Sequence, residues 1–185
     1  LRNIPIMAEK TIEKVTIPGG ITPSYASGTL SLSKSGKTAT KKLAAPEVTI
    51  TVKEQIVTIT PINLRRFTIA TMRSIAAHVR NMILGIEKGF TYKLAVVHAH
   101  FPMAIKVVGK RIEVSNFLGE KNPRYANIVG DSKVEIKGKD ITITGIHIED
   151  VSQTAANLEK VTRVKGRDER VFQDGIYITR KGETA

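Results

Sequence analysis

Hydrophobic and polar positions alternate along much of this chain, and where the alternation stops a longer period takes over. "EVTITV" (47–52) and "IVTIT" (56–60) carry β-branched residues at every second position. A period of two puts one set of side chains on one face of a half-buried strand. With "KEQ" as the turn between them, the two segments are predicted to pair as a hairpin. "KVEIKGKDITIT" (133–144) repeats the pattern with a glycine in its turn. "FTIATMRSIAAHVRNMILGI" (67–86) changes the period, since Ile69, Met72, Ile75, Ala76, Val79, Met82 and Ile83 share one face at helical spacing. A second helix is expected over "EDVSQTAANLEKVTRV" (149–164), whose acidic first residues suit the positive end of a helix.

These elements come in two sets. Ile59-Thr60-x-Ile62 matches Ile143-Thr144-x-Ile146, a shift of 84 residues. The same shift sets Ile50 on Val134, Val52 on Ile136, Val57 on Ile141 and Pro18 on Pro102. "LSLSKSGK" then falls on "IEVSNFLGEK", with one extra residue before the second glycine. The chain therefore reads as an α+β protein of two similar small domains from an internal duplication. Each domain is expected to be a mainly antiparallel β-sheet packed with one main helix. Gly85, Gly89 and the short "EKG" mark the junction, giving a first domain at 1–88, a second at 89–166 and a basic C-terminal tail at 167–185. Met7 lies inside "NIPIMAEK", which makes residues 1–6 a candidate non-native extension.

Charge narrows the partner. Lys and Arg number 29 against 17 Asp and Glu, a net +12 with a pI near 10.0. A polyanion is the natural partner of such an excess, because each neutralised phosphate releases condensed counterions. The absence of cysteine excludes disulfides and thiolate metal sites. No apolar run approaches the ~20 residues that span a bilayer, and the first residues lack a signal-peptide core. A soluble, cytoplasmic protein with no membrane partner is expected. Aromatics are only 5% of the chain, which favours reading a folded RNA through backbone and shape over stacking on single strands.

"LSKSGKTAT" (32–40) ends in the Gly-Lys-Thr of a phosphate-binding loop, and a P-loop nucleotidase is the enzyme reading to test. That loop needs a glycine five positions before Gly36, where this chain has Ser31, and a helix after it. Here Pro46 and a strand follow, so the triplet is expected to be a hairpin turn. His98 and His100 in "VHAHFP" would share one face of a strand, a spacing a metal could use. Without a third ligand they are expected to pack or hydrogen-bond. No nucleophile motif or carboxylate pair stands out, so neither catalytic residues nor a cofactor, metal or small-molecule substrate is expected.

Basic residues concentrate in two places. "KVTRVKGRDER" holds Lys160, Arg163, Lys165, Arg167 and Arg170 where the second helix runs into a loop. "NFLGEKNPRY" (116–125) is a long turn with Gly119, Lys121, Arg124 and Tyr125, in which Gly119 and Pro123 would keep the turn compact and let backbone N–H groups face a phosphate. Both are candidate RNA-contacting segments, weighed against ordinary solvated basic faces.

The segments "HVRNMILGIEKGFTYKLAVVHAHFP" (78–102), "NFLGEKNPRYANI" (116–128) and "RVFQDGIYITRKG" (170–182) resemble the archaeal and eukaryotic branch of the large-subunit ribosomal protein L-six family. The branch's C-terminal signature is met by Arg170, Phe172, Asp174, Gly175, Ile176, Tyr177, Ile178 and Lys181; Lys160 stands where the family usually has Gln. The resemblance implies a structural, non-enzymatic component of the large subunit. It would bind large-subunit rRNA through its C-terminal half, near the sarcin–ricin loop and the stalk base, beside neighbouring ribosomal proteins and where translation factors dock. The implied phosphate ligands are Lys121, Arg124, Arg163, Lys165, Arg167 and Arg170, with Lys160 and Tyr125 among the RNA-binding residues beside them. Gly119 and Gly175 would allow close backbone approach, Phe172 and Tyr177 would anchor the tail, and Asp174 would brace the Gly175 turn. An extra-ribosomal RNA-binding or ribosome-assembly protein is the alternative.

Overall fold

A computed structural model describes residues 12–98, 100–168 and 170–184; the expectation for residues 1–6 lies outside them. The chain divides into two compact units, one ending at Glu87 and the other beginning at Lys88.

In the first unit, β1 (Glu13–Thr16), β6 (Ile56–Pro61) and β5 (Val48–Lys53) form one sheet in the order β1-β6-β5. β2 (Thr22–Ala26), β3 (Thr29–Lys34) and β4 (Lys37–Lys42) form another in sequence order. Both sheets are antiparallel throughout. α1 (Arg66–Glu87) lies across strands of both and buries Met72, Ile75, Ala76, Val79, Met82 and Ile83, most of the predicted stripe. Ile69 is only half-buried. Thr68 takes the inward place instead, because its hydroxyl bonds Asn63 and Glu47 at 2.6 and 2.8 Å.

The second unit repeats the plan. β7 (Phe90–Val97), β12 (Asp140–Gly145) and β11 (Lys133–Lys137) correspond to β1, β6 and β5, while β8 (Ala104–Val108), β9 (Arg111–Ser115) and β10 (Arg124–Asn127) correspond to β2, β3 and β4. α2 (Ile148–Val161) takes the place of α1 and buries Val151, Ala155 and Leu158 against a core with Leu94, Ile112, Val114, Ile141 and Ile143. The helix ends at Val161, three residues before its expected limit.

Two alignments change. Ile17 N–H donates to Gln55 O at 2.7 Å, and Val96 N–H donates to Lys139 O at 2.8 Å. These equivalent bonds place Ile17 on Val96, so Pro18 and Pro102 are not counterparts. The β3–β4 connection is only Ser35-Gly36, while the β9–β10 connection runs from 116 to 123, far more than one residue longer.

β13 (Gly175–Thr184) is the larger difference. It pairs antiparallel with β7 from Gly175↔Val97 onward and gives a four-stranded sheet, β11-β12-β7-β13. The segment expected to be a basic tail is therefore a loop followed by a sheet strand. Its alternation, with Ile176 buried and Tyr177 outward, is the ordinary one for a strand with one covered face.

Ser35 and Gly36 both have positive φ, 47° and 82°, which is the backbone of a tight two-residue hairpin. Their neighbours Lys34 and Lys37 pair directly. A turn this short has no run of amides to wrap a phosphate, and β4 follows it where a phosphate-binding loop needs a helix.

Candidate nucleic-acid interface

The end of α2, the loop from 162 to 174 and the start of β13 meet around a groove of about 470 Å³. Lys160, Arg163, Phe172, Gly175 and Tyr177 line it, together with Glu159. Helix and strand are tied from behind by Thr162, only 3% exposed. Its hydroxyl accepts the Ile176 N–H at 3.0 Å and lies 3.3 Å from Leu158 O, the usual back-bond of a hydroxyl in a last helical turn. Glu159 Oε1 accepts the Ile178 N–H at 3.4 Å. β13 thus turns its outer N–H groups toward α2 while its other edge pairs with β7.

Gly175 belongs here for space. A Cβ at this position would lie 3.2 Å from the Tyr177 ring. That ring is 44% exposed and its hydroxyl donates to Gln173 O at 3.2 Å, so it caps the loop with one face toward the groove mouth.

The 116–123 turn is built differently from the expectation. Asn116, Leu118 and Gly119 all have positive φ. A left-handed Leu costs about 1–2 kcal/mol, but burying its side chain returns a similar amount, and Phe117 and Leu118 are both buried. The turn is therefore pinned from inside, with Asn116 Nδ2 donating to Pro102 O at 3.0 Å. Its Glu120 N–H donates to Phe117 O at 3.0 Å, so that amide is spent within the turn and does not face a phosphate.

Arg124 is committed to the fold. Nε and Nη2 bind the two carboxylate oxygens of Glu120, at 2.8 and 2.5 Å. Nη1 donates to the carbonyls of Val161 and Arg163 at 2.7 and 3.2 Å, where α2 ends. Its guanidinium also lies 4.3 Å from the Phe117 ring centroid. Four hydrogen bonds and a stacked face make Arg124 the clasp between the 116–123 turn and the end of α2, a bidentate geometry that suits guanidinium. The hydrogen bonds from Arg124 hold the Glu120 carboxyl below the ordinary carboxylate range against the opposing effect of desolvation, and the charges of Arg124 and Arg167 add to the lowering.

Arg167 also rests 4.8 Å from the Phe172 ring centroid, and the His100 ring is 4.8 Å from Phe172 on a 32° tilt. Asp174, 1% exposed, accepts from His100 twice: the backbone N–H at 3.1 Å and Nδ1 at 2.6 Å. Asp174 thereby ties the start of β13 to His100. β7 ends at Val97, so His98 and His100 do not share a strand face. His100 is a hydrogen-bonding partner, as expected of it.

The structure thus brings Gly119, Arg124, Lys160, Arg163, Arg167, Gly175 and Tyr177 into one connected region. Lys121 is exposed on the Glu120 turn, and Lys165 and Arg170 are exposed on the loop from α2 to β13. Tyr125 is 52% exposed on β10, opposite Glu113, and does not line the groove. Sequence reasoning missed Glu120 and Thr162, and it did not place His100 beside Asp174 and Phe172. Glu120 and Arg124 stand four residues apart, which would signal a pair on a helix, but nothing local reveals it in a turn.

No described helix is long and apolar enough to cross a membrane. Comparison with known proteins gives one consistent answer. The sequence model of the family described as Ribosomal protein L6 matches residues 101–175. A protein of Methanosphaera stadtmanae named Large ribosomal subunit protein uL6 is 50% identical over 136 residues, covering 73% of this chain and 74% of its own. Proteins of the same name from Methanosarcina mazei and Methanobrevibacter smithii are 39% and 41% identical, each over 95% of this chain and 99% of their own.

Proposed function

Because the chain belongs to the ribosomal protein L6 family in its archaeal form, we propose that it is a cytoplasmic structural constituent of the large ribosomal subunit that binds large-subunit rRNA through its second unit. It is a scaffold and not an enzyme. The observation that carries the reading is a groove lined by Lys160, Arg163, Phe172, Gly175 and Tyr177, with Arg167 laid on Phe172 and the 116–123 turn clasped by Arg124 to the end of α2 that helps line it. A net charge of +12 supplies the long-range attraction.

Lys121, Lys160, Arg163, Lys165, Arg167 and Arg170 hold phosphates in this reading, while Arg124 holds the protein's own loops in register. Such contacts position a scaffold on folded RNA without reading its bases. The sarcin–ricin loop and the stalk base are the proposed RNA targets, with neighbouring ribosomal proteins beside them and translation factors docking nearby. Two domains, 1–88 and 89–166, with a basic segment from 167, remain the proposed division of labour, the RNA contacts falling in the last two.

The test is a titration with a large-subunit rRNA transcript containing the sarcin–ricin loop and stalk base, repeated at rising salt. Affinity should fall steeply, with a log–log slope of about −0.7 to −0.9 per phosphate contact. Salt-independent binding, or failure to sediment with large subunits after a high-salt wash, would count against the assignment; the second result would favour an extra-ribosomal role.

A further inference from the structure

We infer that His100 is a positioning residue for RNA binding, acting through Phe172 on Arg167; this rests on the reading of Arg167 as a phosphate ligand. The reasoning begins at Asp174. A carboxylate 1% exposed must have its charge answered by donors. Two of these come from one residue, His100, by its backbone N–H and its Nδ1. A carboxylate only accepts, so Nδ1 carries the proton and the imidazole plane is fixed relative to the backbone. His100 is held at two points, which restrains its ring.

That restrained ring bears on Phe172, centroid to centroid 4.8 Å. Phe172 is half-buried and packs on the core of the second unit, yet it belongs to an irregular stretch between α2 and β13. Within the stretch the carboxylate and carbonyl of Asp168 accept from the N–H groups of Arg170, Val171 and Phe172, and the Tyr177 hydroxyl donates to Gln173 O. Phe172 in turn carries the guanidinium of Arg167 at 4.8 Å. Arg167 is exposed and follows Gly166, whose φ of 69° gives the backbone no helical or strand support at that point. An Arg on such a loop would ordinarily lose much rotamer freedom on meeting a phosphate. A stacked face removes part of that cost beforehand, since guanidinium on an aromatic ring is both attracted and oriented. Arg167 is then presented to solvent on the Phe172 face. The path runs from a buried carboxylate to an exposed cation through two rings.

The experiment is a double-mutant cycle read by binding to the same rRNA transcript at several salt concentrations. His100→Ala and His100→Gln are each combined with Arg167→Ala. Gln keeps a donor for Asp174 but has no ring, so it separates the ring's role from the need to satisfy the carboxylate. Phe172→Leu, which leaves the Asp174–His100 pair intact, is the third variant and stands in should His100→Ala fail to fold. Thermal melts establish that each protein is folded at the binding temperature.

Arg167→Ala is expected to weaken binding about tenfold, the scale of one charged hydrogen bond, and to flatten the salt slope by about one phosphate. His100→Gln and Phe172→Leu should reproduce most of that loss, and neither should cost further affinity once residue 167 is Ala. An equal loss in the Arg167→Ala background, or none with Arg167 present, overturns the positioning role. If Arg167→Ala is silent while Lys121→Ala and Arg170→Ala weaken binding, the inference falls and the broader RNA reading stands. If the wild-type protein binds without salt dependence, that reading falls and takes the inference with it.

Discussion

Gly175 and Glu120 show how much a single residue decides here. Gly175 has no left-handed backbone to defend; it is needed because the Tyr177 ring sits where a methyl group would go. The ring is half-exposed and can move outward, so Gly175→Ala should change stability by no more than about 0.5 kcal/mol. It should nevertheless weaken rRNA binding, because the displaced ring loses its bond to Gln173 and alters the groove mouth. Urea melts beside titrations would separate the two effects. Glu120 supplies a pH dependence. Its carboxyl is held below its ordinary range by Arg124, so the pair contributes stability above the unfolded-state value of about 4.3 and loses it as pH falls through the lower folded-state value. Wild type should exceed Glu120→Gln in stability near neutral pH, and the difference should vanish in acid. A constant difference from pH 7 to pH 3 would mean that the ion pair is not its source.

Elements of the second unit are joined by side chains that complete backbone hydrogen bonding. β13 has β7 on one edge and α2 on the other, and Thr162 accepts a buried N–H that no strand is there to take. Thr162→Val keeps the shape and removes the acceptor. It should cost about 1–3 kcal/mol, the penalty of an unsatisfied buried donor, measurable as a lower urea midpoint with an unchanged m-value. Hydrogen exchange at Ile176 should accelerate in the variant; unchanged exchange would show that another group takes the bond. The same logic explains why α2 stops at Val161. Beyond it the carbonyls of Val161 and Arg163 turn to Arg124 and Thr162 turns to Ile176, so tertiary partners end a helix that apolar spacing alone would have extended.

At the scale of the whole molecule the two units share one plan and differ in charge presentation, and the difference should be visible in binding. Neutralising Lys160, Lys165 and Arg170 together should reduce the salt slope by about two to three. Neutralising Lys34, Lys37 and Lys42 on the β3–β4 hairpin should reduce it less, if RNA contact is confined to the second unit. Equal losses from both sets would place the first unit in the interface as well. The duplication, the strand alternation, the stripe of α1 and the hairpin nature of "LSKSGKTAT" were legible in the sequence, because period, glycine placement and a missing Ser31→Gly equivalent are local properties that a chain carries wherever it folds. The family was legible for the same reason, since its C-terminal signature lies in consecutive residues. What the tertiary structure alone decided is which cations are available. Arg124 and Arg167 look alike in sequence, yet one is consumed by Glu120 and two carbonyls while the other is laid on Phe172 toward solvent. The supposed tail became β13 because β7 had an edge to pair, and Asp174 found His100 across 74 residues of chain. Such pairings depend on distances that only folding sets, between groups whose spacing along the chain carries no trace of them.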